Sequence, residues 1–275
     1  MTDPLTAIDD WPVTTAAAEV IGTGGVLATR GPGDEQFPLA SLTKPLAVLA
    51  ALVAVEEGAV SLNDPVLPDV VPDATLRHVI SHASGLSPDR RNRAAAPGTR
   101  RIYSNVGIEV MGECVERASG IVFADYLRQA VFEPLGMSRS TLAGSPARDG
   151  ISTVDDFSAL LTSLVAGPSG WLHPTTLDDA TTVQFPGLRG VVPGYGMQDP
   201  NDWGLGFEIR SAKSPHWTGS TNSPATYGHF GQAGTMFWVD PTVGLALVAL
   251  TDRDFGPWAA DAWPRLSDAV MARYC

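Results

Sequence analysis

The longest apolar pattern in the chain runs through residues 41–57, SLTKPLAVLAALVAVEE. Its polar residues sit at the two ends and the middle is apolar on every face, which predicts a helix buried all round. Proline is tolerated only in the first turn, where its missing N–H had no partner, so Pro45 sets the start near Ser41. Ser41 and Lys44 then share that first turn. Helical spacing also marks residues 75–82, with Thr75 as N-cap and a stop before Ser84-Gly85. Three more helices are predicted: 105–119, stopped by Gly120; 123–132, ended by Glu133-Pro134; and 153–164, capped by Thr153 with two acids behind it.

Strand signals lie at the two ends of the chain. Residues 19–31 read as short extended segments broken by Gly-rich turns. From residue 203 the period becomes that of strands, over 203–209, 234–239 and 243–250. The last is a near-continuous apolar run, expected as a central strand buried on both faces. Residues 259–272 predict a final helix. The pattern is that of an α/β (α+β) protein with one sheet built from both chain ends, residues 1–60 and 200–275. The mainly helical residues 61–199 are an insertion packed against it, the whole forming one compact catalytic unit.

Composition narrows the function classes. With 275 residues, 44% hydrophobic and 17% charged, the chain has ample material for a core, and disorder and collagen are excluded. No apolar stretch reaches the roughly 18 residues of a membrane span, so no membrane partner is expected. The net charge of −12 speaks against nucleic acid. The arginines at 90, 91, 93, 100 and 101 read as a solvated loop. The opening MTDPLTAIDDWPV has neither a basic n-region nor an apolar h-region. Cys114 falls on an apolar helical face and Cys275 is the last residue, so two reduced thiols in a cytoplasmic protein are expected. Of 18 cations, 16 are Arg and two are Lys, at 44 and 213. A lysine beside an apolar run therefore calls for a reason.

Three short motifs carry chemistry. In Ser41-Leu42-Thr43-Lys44, positions i and i+3 share a helix face, so hydroxyl and amine can meet. A serine hydroxyl is a poor nucleophile until a base takes its proton, and apolar surroundings disfavour the ammonium form of lysine. The helix N-terminus adds positive potential and free N–H donors. In Tyr103-Ser104-Asn105 a phenol can shuttle a proton, and the Asn105 amide can hold a substrate carbonyl, hold the lysine or cap a helix. In His229-Phe230-Gly231 the glycine allows close approach of an acyl group, and the N–H of Gln232 can serve as a second oxyanion donor. All three arise together by chance in under about one chain in a hundred.

These residues, with FPLASLTK, TLRHVISHASGL, YSNVGIEVMGECVERASG, FADYLRQAVFEPLGM, STVDDFSALL, WGLGFEI and GHFGQAGTMFWVDPTVGLALVALTD, carry a resemblance. Over residues 37–255 the chain resembles the serine β-lactamase and penicillin-binding-protein-like superfamily. It is most similar to the class C β-lactamase-related branch, which also holds family VIII esterases, D-amino-acid peptidases and amidases, and acyltransferases. The resemblance implies a β-lactamase/transpeptidase-like fold: an antiparallel sheet flanked by helices, with an all-helical inserted region. It implies Ser41 as the acylated nucleophile, Lys44 as its base, and Tyr103 as the proton relay and activator of water. Asn105 then positions substrate and lysine, His229 and Gly231 form the third motif, and the N–H groups of Ser41 and Gln232 form the oxyanion hole.

Departures from the family pattern refine the expectation. His229 stands where true β-lactamases have lysine, and a mostly neutral imidazole is a poorer anchor for a β-lactam carboxylate. The reading is a carboxylesterase on short acyl esters. A peptidase/amidase, a β-lactamase or an acyltransferase of the same fold are alternatives, as is a catalytically silent binding module. The partner is a small-molecule ester or amide, and neither a metal nor an organic cofactor is implied. His78 and His82, four apart on a predicted helix, lack the glutamate of a zincin. The strands before Ser41 and the stretch between Met137 and Ser152 look short for the family, predicting a cleft with one wall trimmed.

Overall fold

A computed structural model describes residues 3–275. After a 3-10 turn at Pro4–Asp10 come β1 (Ala16–Gly22), β2 (Gly25–Arg30), β3 (Phe37–Pro38) and α1 (Thr43–Glu56). Next are α2 (Leu76–Ile80), α3 (Asn105–Ser119), α4 (Phe123–Leu127), β4 (Thr141–Leu142), β5 (Gly150–Ser152), α5 (Val154–Ala166) and α6 (Pro174–Thr181). A small hairpin, β6 (Gly190–Val192) and β7 (Gly196–Gln198), leads to β8 (Glu208–Ile209), β9 (Tyr227–Gly231), β10 (Thr235–Asp240), β11 (Leu245–Thr251) and α7 (Pro257–Tyr274).

Six strands form one antiparallel sheet in the order β2-β1-β11-β10-β9-β8. β11 lies centrally with all seven residues buried, as its unbroken apolar run predicts. Alternation along the strands feeds two cores. Ile21, Phe237, Val239 and Val248 face α1 and α5, while Val20, Met236, Trp238 and Leu247 face Trp263, Leu266 and Val270 of α7. The fold is that of the β-lactamase/transpeptidase class, and helix α1 is its buried axis: every residue from Thr43 to Ala54 is buried.

Several elements differ from the sequence expectation. α1 begins at Thr43, and Ser41 lies in a preceding 3-10 turn, Ala40–Leu42. The Thr43 hydroxyl donates to Ala40 O at 2.7 Å and accepts from Gly150 N at 2.9 Å, which pins this turn to β5. Ala40 adopts φ 45, a left-handed conformation unusual for a residue with a Cβ, directly before the serine. Of residues 203–209 only Glu208 and Ile209 join the sheet, because the chain bends at Leu205-Gly206, with Gly206 at φ 79. The strand that carries His229 went unpredicted, since Gly228 and Gly231 dilute its apolar alternation. α4 runs on into a π-helical turn, Arg128–Phe132.

The basic stretch is not solvated throughout. Arg90, Arg91, Arg93 and Arg100 are exposed, but Arg101 is buried. Its guanidinium donates to Ser81 O at 2.5 Å, Gln184 O at 2.6 Å and Asn201 O at 3.1 Å. It thereby ties three loops together two residues from Tyr103. Among the described residues no helix is long and apolar enough to cross a membrane.

Candidate active site

The 3-10 turn and the first turn of α1 bring Lys44 Nζ to 3.0 Å from Ser41 Oγ. Lys44 also donates to Ala147 O at 2.7 Å, in the turn between β4 and β5. The lysine is completely buried, and that burial, helped by the charge of Arg148, lowers its pKa from 10.5 to about 7. A substantial fraction is therefore uncharged at neutral pH. The neutral amine can keep one N–H on Ala147 O and turn its lone pair to the serine proton across the same 3.0 Å.

Tyr103 precedes α3 and lies over the pair, with Lys44 Nζ 4.6 Å from its ring centre. Burial pushes its phenol well above the usual value, with the nearby Ser41 hydroxyl acting in the opposite direction. The resting group is thus a neutral phenol, able to give a proton before it can take one. The Tyr103 hydroxyl and His229 Nε2 lie 3.5 Å apart. His229 Nδ1 is 2.7 Å from Phe230 O and must donate there, leaving Nε2 as an acceptor facing the phenol. Burial, then the Lys44 charge, lower the His229 pKa to about 3, so the imidazole is neutral.

Gly231 ends β9 beside Ser41. A Cβ at this position would lie 2.5 Å from Leu39 O and 3.2 Å from Ser41 N, so only glycine allows the sheet edge to reach the serine backbone. Ser41, Tyr103, His229 and Gln232 line one cavity of about 150 Å³, completed by Pro193, Trp203, Glu208 and Phe230. A second depression of about 300 Å³ shares Tyr103 and Pro193 and reaches Arg100 and Val191. Ligand clefts commonly measure about 300–1,000 Å³. The cleft at Ser41 is thus small and divided by the β6–β7 hairpin, in contrast to the trimmed wall expected.

Asn105 is the first residue of α3 and Ser104 is the N-cap, accepting from Gly107 N. The Asn105 amide donates to Asp89 at 2.7 Å and is not part of the cavity lining. His78 and His82 part company because His82 leaves the helix with φ 58. His78 stacks on Phe185, whereas His82 packs under the Tyr103 ring, 4.6 Å between centres, with its Nδ1 accepting from Ser104 N.

Glu208 escaped the sequence reading as a site residue. Glu208 is buried and accepts from Lys213 Nζ at 3.0 Å, His216 Nε2 at 3.3 Å and Trp217 Nε1 at 2.8 Å. Burial opposes its ionisation, but Lys213, His216 and Trp217 together hold the carboxyl far below its usual range. The scarcity of lysine was the available signal. Lys213, the second of the chain's two lysines, is buried like Lys44.

A serine paired with a buried lysine, with a phenol above them, at the edge of an antiparallel sheet flanked by helices, defines a serine hydrolase of β-lactamase fold. The beta-lactamase family model matches residues 12–271, and the chain belongs to that family. A crystal structure of a beta-lactamase from Mycobacterium bovis is 53% identical, covers 99% of both chains and superposes with a TM-score of 0.95. Esterase EstB of Burkholderia gladioli is 26% identical over 334 residues, 87% of this chain and 83% of its own length. A putative D-alanyl-D-alanine carboxypeptidase of Salmonella heidelberg is 24% identical over 216 residues, 59% of this chain. This chain spans about half, 48%, of that relative's length.

Proposed function

We propose that the protein is a carboxylesterase that forms an acyl-enzyme on Ser41 with short, uncharged acyl esters. The observation that carries this reading is the 3.0 Å approach of a buried, near-neutral Lys44 to the Ser41 hydroxyl. As Ser41 Oγ bonds to the ester carbonyl carbon, its proton passes to Lys44 Nζ. The carbonyl oxygen becomes an oxyanion beside the N–H groups of Ser41 and Gln232. Collapse breaks the bond to the alcohol oxygen, which takes a proton from Tyr103, and Lys44 returns one to the phenol. Both groups are then neutral again. Water repeats the sequence on the acyl-enzyme, losing a proton toward Lys44 and releasing the acid and Ser41.

The neutral His229 supports an uncharged substrate, because a β-lactam carboxylate would find no cation there. The cavity of about 150 Å³ supports a short acyl group. Mass spectrometry after reaction with a fluorophosphonate, alongside p-nitrophenyl ester hydrolysis, tests the reading. One adduct on Ser41 is expected, absent in Ser41→Ala and formed much more slowly in Lys44→Ala. A folded protein that neither labels nor hydrolyses esters would instead be a silent binding module.

A further inference from the structure

Glu208 brings a charge to the cavity that the proposed reaction does not use. Among the residues lining that cavity it is the one that is ionised, since His229 is neutral. Lys213 sits behind it, outside the lining, with its other N–H groups given to Asp202 O at 2.7 Å and Ile209 O at 2.6 Å. His216 Nδ1 accepts from Thr218 N, which leaves its ring proton on Nε2 for Glu208. The cavity therefore meets the negative end of the ion pair.

The surrounding fold is shaped to hold this carboxylate. Gly228 is the β9 partner of Glu208, and a Cβ there would lie 3.0 Å from the Trp217 ring. Phe237 O, 2.2 Å from the same point, also requires glycine there, and the missing side chain leaves room for the indole that bonds Glu208. A buried ion pair is a weak source of stability compared with apolar packing of the same volume, so stability alone is a poor reason for one here. A carboxylate has about four acceptor positions. Three donors occupy Glu208, leaving one position free at a cavity wall.

We propose that Glu208 selects the charge of the acyl group: it repels acyl chains that carry a carboxylate and accepts a hydrogen bond from a hydroxyl, amide N–H or ammonium on the chain. This rests on the reading of Ser41 as an ester-cleaving nucleophile. Nothing lining the cavity offers a compensating cation, and a water-poor site leaves the repulsion unscreened.

Three p-nitrophenyl esters of one chain length test it: pentanoate, 5-hydroxypentanoate and the monoester of glutaric acid, with spontaneous hydrolysis subtracted. In the unaltered protein kcat/KM for the carboxylate ester should fall at least about 100-fold below pentanoate, with the hydroxy ester at or above pentanoate. The discrimination should persist in about 1 M sodium chloride, where the Debye length is about 3 Å. Repulsion by the overall charge of −12 would disappear there, and that result overturns the proposal. In Glu208→Gln, and in Glu208→Gln/Lys213→Met, which leaves no unpaired lysine, the carboxylate-to-pentanoate ratio should rise at least about tenfold. An unchanged ratio in either folded variant, or no discrimination in the unaltered protein, overturns the proposal while leaving Ser41 as nucleophile. Failure to hydrolyse any of the three overturns the reading of Ser41, and this inference with it.

Discussion

Lys44 Nζ lies 3.0 Å from Ser41 Oγ while Lys44 itself has no contact with solvent. The apolar helix behind it keeps the amine dry, and Arg148 stands near enough to oppose its charge. The ammonium form cannot accept the serine proton. kcat/KM should therefore rise with pH through about 7 and level off above it. Arg148→Gln removes an opposing charge and should move the rise to higher pH. A pH–rate profile flat across neutrality, or one unmoved by the substitution, would contradict this.

The same lysine makes stability depend on pH. Its folded pKa of about 7 lies below the unfolded value of 10.5, so between the two the unfolded chain binds more protons. Stability should increase as pH rises through that window, and Lys44→Met should reduce the increase. Denaturant midpoints at both ends of the window measure it, and parallel curves for the two proteins would refute it.

Gly231→Ala forces a methyl group to within 2.5 Å of Leu39 O, a backbone atom that cannot swing aside. The turn bearing Ser41 must shift. We expect a loss of about 1–3 kcal/mol in stability and at least about 100-fold in kcat/KM. Near-normal turnover would mean that β9 does not set the position of the nucleophile.

Asn105 and Tyr103 should separate sharply. In the proposed reaction Tyr103→Phe removes the proton that reaches the leaving group, and it should lower kcat by about 100-fold or more. Asn105→Ala breaks a hydrogen bond to Asp89 outside the cavity and should cost less than about tenfold. Comparable losses in the two variants would bring Asn105 back into the reaction.

His229→Lys places an ammonium where a neutral ring now faces Tyr103 at 3.5 Å. The ratio of reactivity with a carboxylate-bearing β-lactam to that with a neutral ester should rise at least about tenfold. The neighbouring charge should also lower the Lys44 pKa, moving the rise in activity to lower pH. An unaltered ratio would remove the connection between imidazole neutrality and substrate charge.

The local sequence established the parts of the site whose geometry is local. Ser41 and Lys44 are three residues apart at the head of an apolar helix, and that spacing alone brings hydroxyl and amine together. Thr153 capping α5 and Gly120 ending α3 were legible for the same reason, since caps act within one turn. Asn105 shows the limit: its position in the motif was plain, but its partner, Asp89, comes from another loop.

The tertiary structure decided what depends on distant segments. Ala147 O reaches Lys44 across 103 residues, and Thr235 Oγ1 reaches Leu39 O across 196. Glu208 acquires its meaning from Lys213, His216 and Trp217 wrapping back over the sheet edge, past a glycine on the next strand. Neither hydrophobic period nor short motif encodes such meetings, because each is fixed by how whole elements pack. The chain alone thus specified the pairing of a hydroxyl with an amine. Packing set how dry the base is, how small the cavity is and which charge faces the substrate.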